Sequence, residues 1–189
     1  MITFDKGTHT YTVDGVRAPS VTQILQFLNP EKYADVPPEV LAAKAEYGNR
    51  VHEWIEHYAM TGKKKRQTDM MKLSTLQAVD LLSEFKAEKC EEVVTYKGVY
   101  CGTYDMYGTI KDQKALIDIK TTSEYDESYL SWQLGMYKIA LEEAGEQVDR
   151  CMCLWCPKGA VAYLIDVDPK TQYDIDWLLF RYEQEHTAE

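Results

Sequence analysis

The 189-residue sequence predicts a mixed α/β (α+β) fold, a small central mixed β-sheet flanked by helices. Three observations predict it. Apolar residues recur at helical spacing through much of the first ninety positions, then shift to short alternating runs broken by turn residues. A strong helical segment interrupts those runs, as expected where a sheet has a helix packed on it. Hydrophobic residues make up 45% and charged residues 28% of the chain, which suits a globular domain with a real core.

Residues 2–5 and 9–14 alternate β-formers with polar residues around Gly7, and Gly15 follows, which reads as a hairpin. Residues 19–25 read as a short helix with Ser20 as N-cap and Gln23 completing a capping box. Pro37-Pro38 opens a longer helix to about Thr61, because proline suits a first helical turn; Leu41, Ala45, Val51 and Ile55 form its apolar face and Gly48 weakens its middle. A further helix is expected over 71–89, with Leu73, Leu76, Val79, Leu82 and Phe85 as its stripe. Strands follow at 92–97, 100–110 and 115–121, with turns at Gly98 and at Lys111–Lys114. A helix spans 127–143, ended by Gly145. Strands at 150–156 and 160–167 flank a Pro157-Lys158-Gly159 turn, and a last helix runs over 169–185. There are no repeats or linkers. The expectation is one domain, with a hairpin and helical segment (about 1–90) leading into a sheet-bearing core (about 91–189).

No apolar run is long enough to cross a bilayer, and residues 1–7 carry no secretory signal pattern. Five cysteines outside any small disulfide scaffold point to reduced thiols and a cytoplasmic setting. The net charge of −10 argues against a nucleic-acid partner, since phosphate binding calls for a basic face. Two features soften that argument. A carboxylate metal site needs acids and reverses its local sign when loaded, and Lys63-Lys64-Lys65-Arg66 is one basic run, which also reads as a solvated loop.

Three Asp-x-Lys triplets occur: Asp112–Lys114, Asp118–Lys120 and Asp168–Lys170. The first lies in a polar turn and the third at a strand-to-helix junction. The second lies inside an apolar strand, Ala115-Leu-Ile-Asp-Ile-Lys-Thr121, where buried charges need partners. Alternation puts Asp118 and Lys120 on one face. In a hairpin with the preceding strand, Asp105 falls opposite Lys120, or opposite Asp118 if the register slips by two. Two carboxylates this close need a shared proton, the neutralising lysine or a divalent metal between them. Oxygen donors suit Mg²⁺, which can activate water and steady charge on a phosphate. A surface salt-bridge cluster is the plain alternative.

Four motifs then come in order: Gly48-x-x-x-His52, Gly102-x-x-Asp105, Asp118-x-Lys120 and Gln133-x-x-x-Tyr137, preceded by His9-x-Tyr11 and Pro19-Ser-Val-Thr-x-Ile-Leu25. In order and spacing they resemble the PD-(D/E)xK nuclease superfamily, in its RecB-like, phage exonuclease and Cas4-like branch. That resemblance implies a restriction-endonuclease-like core and a metal held by His52, Asp105, Asp118 and the Ile119 backbone carbonyl. It implies Asp105, Asp118 and Lys120 as the catalytic set, and Gln133 and Tyr137 as DNA contacts. Glu56, one turn beyond His52, would orient the imidazole, and Glu92 stays unassigned. Mg²⁺ is the expected cofactor, with Mn²⁺ as substitute.

Cas4-like members often hold a 4Fe–4S cluster, but here Cys90, Cys101, Cys151, Cys153 and Cys156 depart from their pattern, with no early cysteine. The three late thiols read better as small buried hydrophobes. The function expected from the resemblance is a metal-dependent exonuclease on linear or single-stranded DNA in phage or mobile-element recombination, repair or processing. With no Walker A loop, unwinding would fall to a helicase or recombinase partner chain, and a homo-oligomer is compatible. The alternatives are a catalytically silent nuclease-fold module binding DNA or protein, and an iron–sulfur nuclease.

Overall fold

A computed structural model describes residues 1–32 and 35–186. Its centre is a five-stranded sheet in the order β4-β5-β6-β7-β8, formed by β4 (Phe85–Tyr96), β5 (Tyr100–Ile110), β6 (Gln113–Lys120), β7 (Arg150–Trp155) and β8 (Tyr163–Asp166). All neighbours are antiparallel except β6 and β7, which are parallel. Parallel strands need a crossover, and helix α4 (Glu127–Glu143) provides it. The sheet is therefore mixed, as the sequence predicts.

Helices cover both faces. Helices α1 (Val21–Leu28), α4 and α5 (Gln172–His186) share one buried cluster with Tyr100, Tyr104, Tyr107, Leu116 and Cys153. Helices α2 (Pro38–Thr61) and α3 (Asp69–Leu81) share the other with Met106, Ala115, Ile117, Ile119 and Leu154. The alternation along β6 explains the split: 115, 117 and 119 face α2, whereas 116 faces α4. The expected N-terminal hairpin gains a third strand, giving the order β1 (Ile2–Asp5), β2 (Thr10–Val13) and β3 (Val16–Ala18). This sheet packs through Tyr11 and Ala18 onto Cys101, where Ser20 also bridges β5. The capping box of α1 is present in both directions, at 3.1 Å from the Gln23 N–H to Ser20 Oγ and 2.9 Å from the Ser20 N–H to Gln23 Oε1.

Several expectations are corrected. The helix expected over 71–89 ends at Leu81, and the strand expected from 92 begins at Phe85, inside the segment assigned to the helical half. Phe85 pairs with Ile110 at the far end of β5, so the eleven-residue β5 recruits a partner of matching length. The stripe on α3 is also displaced. Leu73 and Leu76 are 47% and 45% exposed, while Met71, Ser74, Thr75 and Ala78 are buried against α2. Small residues let the two helices approach, and the Ser74 and Thr75 hydroxyls donate to the Met71 carbonyl. On α2 the buried set is Gly48, Val51, Trp54 and Ile55, not Leu41 and Ala45. The bounds of β1, β5 and α4 fall where expected, and the remaining boundaries shift by at most three residues.

Candidate metal centre

The β5–β6 hairpin turns on Lys111 and Asp112, both with positive φ, and Ile110 pairs with Gln113. Such a two-residue turn fits the twist of a hairpin. It fixes the second of the two registers read from the sequence. Met106 pairs with Ile117, and one step further Asp105 falls level with Asp118. There the ladder stops. Instead of a backbone partner, the Ile119 N–H donates to Asp105 Oδ2 at 2.6 Å. The strands part at the two acids, and the carboxylate of Asp105 fills the gap.

Helix α2 crosses this gap from the other cluster. Gly48 makes the crossing possible: a Cβ there would sit 3.1 Å from the Thr121 hydroxyl, just past β6. One turn later His52 Nδ1 lies 3.4 Å from Asp105 Oδ1, and 3.8 Å from Glu56 Oε1. In β4 the register between Cys90–Met106 and Glu92–Tyr104 puts Glu91 across from Asp105. His52, Glu56, Glu91 and Asp105 each offer one donor atom, all within 4.8 Å of one another, the spacing of a metal site. Glu92, by contrast, accepts from the Tyr104 hydroxyl at 3.3 Å. Glu56 is thus a member of the cluster, and Glu91 is the residue the sequence reading missed. The missed signal is the three-residue turn Lys97-Gly98-Val99, which pairs Tyr96 with Tyr100 and by counting sets Glu91 against Asp105.

Asp118 and Lys120 lie on the α4 side of the same gap. Lys120 Nζ is 2.6 Å from Asp118 Oδ2, an ion pair whose geometry leaves that oxygen without a well-formed hydrogen bond. Asp118 therefore belongs to the site but not to the compact four-residue donor set. Ile119, expected to offer its carbonyl, meets Asp105 through its N–H. Gln133 and Tyr137, expected to contact DNA, are 7% and 4% exposed. Tyr137 packs over Gly102, where a Cβ would lie 2.5 Å from its ring. Gln133 Oε1 is buried without a partner. The pair walls the site and is closed to a strand of DNA in this conformation.

The electrostatics are those of crowded acids. Burial pushes the Glu56 carboxyl up to about 8, and the neighbouring Glu91 and Asp105 add to it. Burial likewise pushes Asp118 up to about 6 against the pull of Lys120. Burial opposes a charged His52, yet the Asp105 carboxylate overrides it and lifts the ring to about 9. Burial also opposes a charged Lys120, which Asp118 and Asp105 outweigh, so the lysine is held above its ordinary value. The residues fit a divalent cation. Glu56 Oε1 and Asp118 Oδ2 are buried and lack hydrogen-bond partners, and one imidazole with three carboxylates is a donor set for Mg²⁺ or, with the nitrogen, Mn²⁺.

The cysteines gather nowhere. Cys151 and Cys153 join the α4-side cluster and Cys156 the α2-side cluster. Burial pushes the Cys151 and Cys156 thiols up to about 12, away from the thiolate form a metal requires. The basic run lies in the α2–α3 connection, beside α2, where the Trp54 indole donates to the Lys65 carbonyl and Lys65 pairs with Glu53. No helix among the described residues is long and apolar enough to cross a membrane.

No family model and no curated protein matches the sequence. Among solved structures, that titled "Crystal structure of SSO0001" is similar at 17% identity and a TM-score of 0.49, covering 85% of this chain and 72% of that one. A likeness of that degree says nothing about activity.

Proposed function

We propose that the protein is a metal-dependent DNA nuclease of the PD-(D/E)xK type. The observation that carries the reading is the convergence of Asp105, Asp118 and Lys120 at the parting of β5 and β6, beside three further donors on α2 and β4. A surface salt-bridge cluster does not account for Glu56, whose buried Oε1 has no hydrogen-bond partner and lies 3.8 Å from the His52 ring nitrogen.

His52, Glu56, Glu91 and Asp105 would hold the cation, which when bound supplies a Lewis acid that activates water and neutralises charge on a phosphate. Asp105 is held for this role by the Ile119 N–H. Lys120, flanked by Asp118 and Asp105, stays protonated. It therefore donates hydrogen bonds to the attacking water or the phosphate rather than accepting a proton. Asp118 keeps that ammonium in place. The unpartnered Gln133 Oε1 supplies an acceptor at the back of the site. Exonuclease action on linear DNA, a helicase or recombinase partner and a homo-oligomer remain parts of this proposal, drawn from the family resemblance.

The test is incubation with end-labelled single-stranded, duplex and closed circular DNA in Mg²⁺, Mn²⁺ or EDTA, beside Asp118→Ala. The expected result is metal-dependent loss of linear DNA, at least a hundredfold slower in the variant. Cutting of circles would make the enzyme an endonuclease. No cutting at all would favour the second reading, a silent module for a protein or DNA partner, which the −10 net charge supports.

A further inference from the structure

A row of aromatic rings begins beside Lys120 and takes no part in the chemistry above. Lys120 pairs in parallel with Trp155, and Trp155 in antiparallel with Tyr163. Residues paired across strands present their side chains on one face. The Trp155 and Tyr163 rings stack with centroids 5.7 Å apart and planes at 27°. Tyr125, from the β6–α4 connection, meets the indole at 5.8 Å. The indole N–H donates to the Thr122 carbonyl at 2.8 Å, which fixes the ring before any ligand arrives. The row ends in the open. Tyr163 is 47% exposed and joins none of the buried clusters.

We infer that this row is a stacking platform for the bases of a single-stranded nucleic acid whose phosphate chain passes Lys120. The inference rests on the nuclease reading and deepens it by naming the substrate form. Every base has a π face, so a ring row reads strands without regard to sequence. A duplex keeps those faces closed within its own stack; a single strand offers them. Lys120 is the cation beside the row; Lys158, in the turn between β7 and β8, lies instead over the Tyr47 ring of α2, 5.2 Å from its centroid. With so few cations on an acidic chain, stacking must carry the affinity. One phosphate contact gives a salt slope of only about −0.7 for a single strand.

Binding of fluorescein-labelled oligo(dT) and of a hairpin duplex is measured by anisotropy in Mg²⁺ in the full-length Asp118→Asn protein, which keeps the four-residue donor set intact. Oligo(dT) is expected to bind more tightly than the duplex, with a shallow salt slope and quenched tryptophan emission. Adding Tyr163→Ala is expected to weaken oligo(dT) roughly tenfold, and Tyr163→Phe to restore it. Equal oligo(dT) affinity with and without Tyr163→Ala, or binding of the duplex alone, would overturn the platform. Cleavage by the otherwise wild-type protein separates the two ideas. DNA cutting that is indifferent to Tyr163→Ala keeps the nuclease and sinks the platform. Tyr163-dependent oligo(dT) binding without any cutting keeps the platform and sinks the nuclease.

Discussion

Glu56, Asp118 and His52 hold protons in the metal-free fold that the unfolded chain releases. Their values of about 8, 6 and 9 stand above ordinary ones of 4.5, 3.8 and 6.5. Where the folded state binds more protons, stability falls as pH rises. For His52 the stabilisation is complete below 6.5 and lost as pH climbs through 9. For the acids, the cost of ionising inside the fold accrues between 3.8 and 6 for Asp118 and between 4.5 and 8 for Glu56. The melting temperature in EDTA is therefore expected to drop steadily from pH 5 to pH 9. Glu56→Gln is expected to flatten the stretch between 5 and 8. A level wild-type profile would show that these groups take up and release protons in the fold as they do in the unfolded chain. Excess Mn²⁺ removes the protons and the repulsion together. At a hundred times its dissociation constant, binding to the fold alone contributes about 2.7 kcal/mol. Calorimetric melts are expected to shift upward with Mn²⁺ in the wild type and not in Asp105→Asn. An equal shift in both would place the cation elsewhere.

At this scale Asp105, Asp118 and Lys120 were legible because an apolar strand with two charges two apart admits few explanations. Glu91 was not. It follows Cys90 and precedes Glu92, and nothing in that local pattern says which acid faces Asp105. The choice depends on the length of a turn six residues away, from which the register runs unbroken past Glu91. Gln133 and Tyr137 were legible as a helical pair, but helical spacing shows that they share a face without showing what covers it, and the fold buries both.

Among the elements, β5 and α4 interlock through one glycine. A methyl group on Gly102 would meet the Tyr137 ring at 2.5 Å and Val21 at 3.0 Å, both in the packed core. Gly102→Ala is expected to cost about 1–3 kcal/mol by overpacking. Tyr137→Ala is expected to cost about 3–5 kcal/mol by leaving a large cavity. Urea melts measure both. A Tyr137→Ala protein as stable as wild type, yet weak on DNA, would return the ring to the role of a DNA contact. Helices α1, α2 and α4 were readable from a capping box, an opening proline pair and a closing glycine respectively. The misread boundary at 81–85 has a clear cause. The run from Leu73 to Phe85 keeps helical spacing, but the partner it needs at its end is Ile110, twenty-five residues later in the chain. Tertiary pairing outweighed local period there.

In the whole molecule, an acidic charge and the proposed nucleic-acid substrate are reconciled by geography. The carboxylates that contribute to −10 include Glu56, Glu91 and Asp105 of the donor set, whose mutual repulsion a bound cation would relieve. The mixed sheet was predictable from the change of period along the chain. The joining of the first half to it was not, because the reading treated residues 1–90 as leading into the core. In the fold they supply His52 and Glu56 to the site and the whole helical cover of one face.

The donors come from helix α2 and from strands β4 and β5, so a bound cation does more than chemistry. It staples His52 to Asp105 and closes a loop of roughly fifty residues. A covalent cross-link over that span removes about 4 kcal/mol of chain entropy from the unfolded state. A protease that nicks the exposed basic connection between α2 and α3 would then leave two fragments held by that ion as well as by the buried packing of α1 and α2. Chelation, more than the nick, would loosen their association.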